Sequence, residues 1–509
     1  MKKGNHDTAK MTLIPVILMI FTSVFGFTNM SRDFYLMGYA AIPWYLVTGI
    51  LFFILYAFML GEFGASFRAE KGGIYSWMEK SVGPRFAFIG TFMWYASYVV
   101  WMVDISSTIW IPLSNAIFGT DTTQSWSIFG LSATQCLGLL GALWILIVTL
   151  VVTKGIRQVK IIAAIGGTAV ALLNVVLLVG GIIVLVASGG HLAQPIPSIH
   201  AFFQSPKPGY QSPIGVLSFI VFAIFAYGGL EVVGGLSDKT ENPERTMPRA
   251  IKIAAFIITI AYSVGVFLIG IFTNWQNVLT SDKVNLGNVA YVIMRNMGYQ
   301  IGHAMGLGSH GSLLMADWVA RLVGLSMFLA LVGAFVVLGY SPLKQLIEGA
   351  PAELWPGKLG KVVDDVPKNA LWVQCLIVLG LILFMAFGGE GVSTFFNYLV
   401  LMTNVAMTLP YMFLSIAYIF FKKNTSIPKP FTVYKRMKSA WVATITVTLT
   451  VGFANLFTII QPALTGDWKS TIWMIVGPIF FAAIALLLYK RYEIKKLAHP
   501  DNVGSKRAS

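Results

Sequence analysis

Twelve apolar runs, each long enough to cross a hydrocarbon layer of ~30 Å, divide this chain: 11–28, 38–60, 86–113, 131–153, 158–188, 214–236, 250–273, 312–339, 369–388, 392–421, 439–461 and 470–489. In hydrocarbon no water is present to take an unpaired amide or carbonyl, so segments of this length must be helices that satisfy their own backbone. An all-α integral membrane protein follows. With 56% hydrophobic and 11% charged residues among 509, and a mean hydropathy of +0.74, the composition excludes an ordinary soluble domain.

A net charge of +15 suggests nucleic acid until the basic residues are sorted by loop. Thirty of the 36 fall on one side of the expected membrane, five (Arg32, Lys207, Lys283, Arg295, Lys469) on the other, and Arg321 within a span. This asymmetry predicts that both termini are cytoplasmic. The charge then reports topology and attraction to an anionic inner leaflet, with no nucleic-acid partner. No small-residue cleavage pattern follows Phe27, so the first apolar run reads as a retained helix and not a signal peptide. Cys136 and Cys375 fall near opposite membrane faces, which excludes a disulfide between them, and neither sits in a metal-ligand pattern.

Five spans cross an odd number of times, so a second group of five beginning at the sixth span runs opposite to the first. The expected organisation is a cytoplasmic tail (1–10), a first five-helix repeat (11–188), a second, inverted one (214–421), two peripheral helices (439–489) and a basic cytoplasmic tail (490–509). Within the external segment 274–311, the stretch Tyr291 to Met297 reads as a short surface helix. The Pro-rich cytoplasmic segment 340–368 reads as an irregular loop.

The first helix of each group is interrupted at a corresponding place. Span 1 carries Thr22, Ser23, Val24, Phe25 and Gly26; span 6 carries Phe225, Ala226, Tyr227, Gly228 and Gly229, then Glu231. Paired breaks of this kind mark a binding site near the bilayer midplane, because an opened helix exposes amides at one new end and carbonyls at the other. In span 1 the amide donors fall near Phe25 to Phe27, joined by the Thr22 and Ser23 hydroxyls; in span 6 the carbonyls of Ile224 to Tyr227 face an ammonium group. Small residues also let membrane helices approach closely, and that reading covers Thr22, Ser23 and Gly26 taken alone.

Beyond span 6 the chain reads Glu241-Asn242-Pro243-Glu244-Arg245-Thr246-Met247-Pro248-Arg249-Ala250-Ile251, and between spans 2 and 3 it reads Gly72-Gly73-Ile74-Tyr75-Ser76-Trp77 followed by Gly83-Pro84-Arg85. Both stretches resemble motifs of amino acid permeases of the amino acid/polyamine/organocation superfamily, within which the chain looks most similar to the bacterial glutamate/γ-aminobutyrate antiporters. The resemblance implies a twelve-helix 5+5 inverted-repeat fold with discontinuous helices 1 and 6 and two peripheral helices. It also implies a secondary transporter of amino acids or related amines in the bacterial cytoplasmic membrane, an exchanger, working by alternating access without cofactor or metal. A proton-coupled symporter and a membrane-embedded amino acid sensor are the alternatives, and monomer and homodimer both stay open.

By its place in the motif, Glu231 matches the glutamate thought to sense protons or hold the inner gate in these exchangers; a carboxylate capping freed amides is the other reading. Tyr95, Tyr98 and Trp101 of span 3 are gating candidates, an aromatic face being able to hold an ammonium, although most aromatics simply pack. Of the other intramembrane charges, Glu62 is expected at a solvated interface beside Arg68, Asp104 near the outer surface, and Asp317 paired with Arg321 one turn away. Two departures from the family stand out. Span 5 between Gly167 and Val176 offers Asn174 and no lysine, against lysine-based proton coupling, and the tail after Tyr489 looks too short for the plug associated with the antiporters. The six histidines fall in tails and external loops, away from any enzyme-like arrangement.

Overall fold

A computed structural model describes residues 10–67, 70, 73–154, 156–231, 240–363 and 366–498, without the side chains of 22, 156–164, 166, 167, 170 and 171. The Thr22 hydroxyl, Arg68, Gly72 and most of the two tails therefore lie outside the described residues. Among those described, regular structure is helical, with β pairing confined to the isolated bridges Met11–Thr240 and Val363–Val366. Among the described residues nine helical segments have the length and apolarity to cross a membrane, and Leu172–Ala187 and Pro213–Ala226 are shorter apolar helices.

The first apolar run forms two helices, α1 (Leu13–Val24) and α2 (Phe27–Met37). The second half reaches nine residues beyond the expected end at 28, carrying Ser31, Arg32 and Asp33 with it. Gly38 (φ +56°) turns the chain into α3 (Ala41–Thr48), and a π-helical turn at Gly49–Phe53 joins this to α4 (Ile54–Ser66). A short α5 (Ile74–Ser81) precedes α6 (Pro84–Thr108), α7 (Trp110–Phe118), α8 (Ala133–Thr153) and α9 (Ile156–Ala187). Proline at the first position of α6 is tolerated because that N–H has no helical partner.

The sixth apolar run gives α10 (Pro213–Ala226), which stops ten residues before the expected end at 236. Then come α11 (Pro243–Phe272), the one-turn α12 (Trp275–Val278) and α13 (Val289–Ala304). The helix expected at Tyr291 to Met297 is thus longer, and Tyr291, Ile293, Met294 and Met297 are buried, so α13 is part of the core surface and packs on α9 and α14. The 42-residue α14 (Gly308–Gly349) continues through Pro342 into the segment read as a loop. A proline inside a helix removes one hydrogen bond, and here Pro342, Leu343, Leu346 and Ile347 are all buried, which holds the extra turns in place. The chain ends with α15 (Lys368–Ala386), α16 (Val392–Thr408), α17 (Pro410–Lys423), α18 (Met437–Leu464) and α19 (Trp468–Ala498).

α1 packs along α11, α10 along α18, and α8 along α15. The last pair runs antiparallel: a Cβ on Gly138 would meet Ala386, whereas the Cys375 thiol lies 3.9 Å from the Ile145 carbonyl. Cys136, near the start of α8, is thereby held at a different level from Cys375, and both are free thiols.

Candidate functional site

Helix α1 loses its regular turns at Phe25 and Gly26, which are extended (φ −76°, ψ 104° and φ −106°, ψ 121°). The Phe25 amide still bonds back to Phe21, at 2.8 Å, and the Gly26 amide donates across to the Tyr262 hydroxyl, at 2.8 Å. No side chain caps α2, so its first amides and positive dipole end point into the break.

The second interruption follows α10. Tyr227 and Gly228 donate to the Ile224 and Phe225 carbonyls at 3.1 and 2.9 Å, closing the helix with tight turns, and Gly229 then takes φ +90°. A Cβ on Gly229 would lie 2.3 Å from the Ser23 carbonyl oxygen. The two interrupted segments therefore touch backbone to backbone, and only glycine satisfies both the left-handed torsion and that contact.

Tyr262 of α11 joins the breaks. Its hydroxyl accepts from Gly26 and lies 2.6 Å from the Ala226 carbonyl and 2.9 Å from the Val24 carbonyl, so its single proton serves one carbonyl at a time. The Tyr262 ring stacks on Tyr45 at 4.7 Å with 4° between planes and leans on Phe25 at 4.8 Å. Tyr227 completes the cluster: its ring stacks on Phe53 at 4.5 Å and its hydroxyl donates to the Tyr45 carbonyl at 2.8 Å. Gly49, at the start of the π turn, lets α11 approach, since a Cβ there would sit 2.8 Å from the Thr259 hydroxyl. Tyr45 in turn donates to the buried carboxylate of Asp33 in α2.

Of the residues expected at the site, Val24, Phe25, Ala226 and Tyr227 are buried at the breaks, while Gly26, Phe225, Gly228 and Gly229 are half-buried there. The Ser23 side chain is exposed and donates to the Met19 carbonyl at 2.7 Å, so its proton is used within α1 rather than offered to a ligand. Glu231 lies half-buried in a 3-10 turn beyond the second break, within electrostatic reach of Tyr56, Tyr98 and Tyr411. Tyr98 is thus brought towards Glu231; Tyr95 packs on Phe92 at 6.0 Å and Trp101 on Phe335 of α14 at 5.7 Å. Tyr45, Tyr56, Tyr262 and Tyr411 were not singled out by sequence. Tyrosines in otherwise apolar spans were the available signal, diluted by 14% aromatics along the chain.

Three charges sit differently from expectation. Glu62 is fully buried: it pairs with Lys422 at 2.9 Å and accepts the Val433 and Tyr434 amides at 2.6 and 2.9 Å. Asp104 is buried within α6, near the Thr108 hydroxyl at 3.4 Å. Asp317 pairs with Arg295 of α13 at 2.8 Å, and Arg321 lies over Trp318 at 5.6 Å. For Asp317 and Glu62 a partner more distant in sequence stands where spacing suggested a local neighbour, and Asp104, for which no pairing was expected, is buried. Among the described residues no three His, Cys, Asp or Glu side chains converge as a metal site.

The amino acid permease family model matches residues 11–481. The inner membrane transporter YjeM of Escherichia coli is 53% identical over 97% of this chain and 99% of its own length. More distant relatives from Lactococcus lactis are the aspartate/glutamate permease AcaP, 25% identical over 86% of this chain and 85% of its own, and a glutamate/gamma-aminobutyrate antiporter, 22% identical over 91% and 86%. The chain belongs to the amino acid permease family, and is a membrane transporter rather than an enzyme.

Proposed function

We propose that this protein is a secondary active transporter of the cytoplasmic membrane, exchanging amino acids or related amines by alternating access through a twelve-helix inverted repeat. The observation that carries the reading is the meeting of the two breaks, where Gly229 lies on the Ser23 carbonyl and one tyrosine hydroxyl holds groups from both segments. An amino acid has a carboxylate that suits the uncapped amides of α2 and an ammonium that suits the carbonyls ending α10. In this arrangement the Tyr262 hydroxyl does for the breaks what a substrate does in the loaded state: it accepts from Gly26 and donates towards Ala226. Substrate entry then amounts to exchanging those bonds for its own. Phe25, Phe225, Tyr98, Tyr95 and Trp101 would close over the bound molecule.

The names of the Lactococcus relatives favour acidic amino acids and γ-aminobutyrate as cargo. Proton-coupled symport is the second reading, favoured by Glu231 lying within electrostatic reach of three tyrosines just past the break. Purified protein in vesicles loaded with unlabelled amino acids, tested with each labelled one, separates these. Uptake that requires a loaded lumen supports exchange; uptake driven by an imposed pH gradient into empty vesicles supports symport; neither, for every amino acid and γ-aminobutyrate, refutes transport.

A further inference from the structure

The loop between α9 and α10 folds back onto α2 and carries Lys207 inward. Ser205 anchors the turn: its hydroxyl donates to the Leu36 carbonyl at 2.6 Å and accepts the Lys207 amide at 3.0 Å. The Lys207 ammonium is thereby set over the Tyr35 ring, 3.7 Å from its centroid. Among the described residues no carboxylate pairs with it, and burial lowers its pKa to about 8. A cation–π contact offsets only part of the free energy of withdrawing an ammonium from water. A positive charge is held where it has no anion.

That ammonium lines a cavity of about 280 Å³ on the face that the charge distribution assigns to the outside. Asp467 lines the same cavity; its carboxylate caps α19 through the Ser470 amide and hydroxyl at 3.1 and 2.6 Å and keeps further lone pairs. Asn397 lines it as well; its carbonyl oxygen accepts the Leu286 amide at 3.1 Å, leaving its NH₂ group uncommitted among the described residues. Tyr35 lies under the ammonium, Tyr210, Tyr398 and Asp467 are the other titratable groups lining the cavity, and Lys469 is within electrostatic reach of Asp467. Opposite charges that share a cavity without pairing, with an amide donor beside them, match a ligand that carries both charges itself.

We infer that this cavity is an outer capture site for a zwitterionic amino acid, with the carboxylate on Lys207 and Asn397 and the ammonium directed at Asp467. The inference rests on the transport reading for the ligand's identity but is tested apart from it. A half-buried lysine with a lowered pKa acylates readily near pH 8 unless its site is occupied. Purified full-length protein is treated with an N-hydroxysuccinimide ester, with and without L-glutamate, γ-aminobutyrate or a mixture of the twenty amino acids, and the Lys207 peptide is quantified by mass spectrometry; because the added amines also consume the ester, labelling is expressed relative to that of the exposed Lys495 in the same sample.

With ligand at about ten times its Kd, labelling of Lys207 slows about tenfold, and Asp467→Asn loses most of that protection. Labelling unaffected by every amino acid overturns the inference, as does equal protection by sodium acetate or by the Asp467→Asn protein. In vesicles, Lys207→Met raises KM while kcat holds. Should wild-type vesicles exchange nothing, the transport reading fails while the labelling result still decides the cavity.

Discussion

Replacing Tyr262 by Phe removes one oxygen and leaves the ring contacts with Tyr45 and Phe25 in place. That oxygen is the acceptor for Gly26 and the donor shared by Ala226 and Val24. A buried donor left without an acceptor costs about 1–3 kcal/mol, and one lost neutral hydrogen bond about 1 kcal/mol. Because Gly26 is half-buried, the lower end applies, giving about 2 kcal/mol in all. The loss falls on the form in which the two breaks are pinned together, so the balance between that form and an opened one shifts by about 30-fold. In detergent, the thermal midpoint of Tyr262→Phe should fall below wild type without substrate, and substrate should restore more of it than it adds to wild type. Thr259→Val is the control, because its hydroxyl meets Tyr227 only at 3.4 Å and should matter little. A Tyr262→Phe protein with wild-type midpoint and wild-type substrate response would refute the claim that this hydroxyl stands in for ligand.

Other outcomes follow from the same contacts. Gly229→Ala places a Cβ 2.3 Å from the Ser23 carbonyl at φ +90°, so exchange in vesicles should fall at least about tenfold, whereas Gly477→Ala, with open space around it, should be silent. Glu62→Ala strands Lys422 and two amides, and should lower stability by about 3–5 kcal/mol, read as loss of the monodisperse peak on size exclusion; Glu62→Leu with Lys422→Met should recover much of it. Glu231→Gln should flatten the pH dependence of flux, and an unaltered profile would remove it from proton sensing. For Lys207 the folded pKa, about 8, lies below its ordinary value of 10.5, so the unfolded chain binds more protons between those values. Ligand-free wild type should therefore gain stability relative to Lys207→Met as pH rises through that window, and a parallel pH trend in both would contradict the burial argument.

The membrane class, the order of the apolar segments and the two interruptions were legible because they depend on local features: unbroken apolar length, and small or glycine residues inside it. The ends of the half-helices were less so. α2 runs on to Met37 because Arg32 and Asp33 are satisfied by other parts of the chain: Arg32 donates to the Leu286 carbonyl at 2.8 Å and Asp33 accepts from the Tyr45 hydroxyl. Nothing in hydropathy announces such a partner. The same reason hid Tyr262, which is 236 residues from the amide it accepts, and misassigned Glu62, whose partner Lys422 is 360 residues away while Arg68 is six. Periodicity and spacing report which residues share a helix face; they do not report which helix arrives opposite it.

If the freed main-chain groups at the two breaks hold the transported amino acid, a structure determined with that amino acid bound will show its carboxylate at the first amides of α2, its ammonium at the carbonyls ending α10, and the Tyr262 hydroxyl released from Gly26 or Ala226. An amino acid bound elsewhere, with both contacts of that hydroxyl intact, would contradict it.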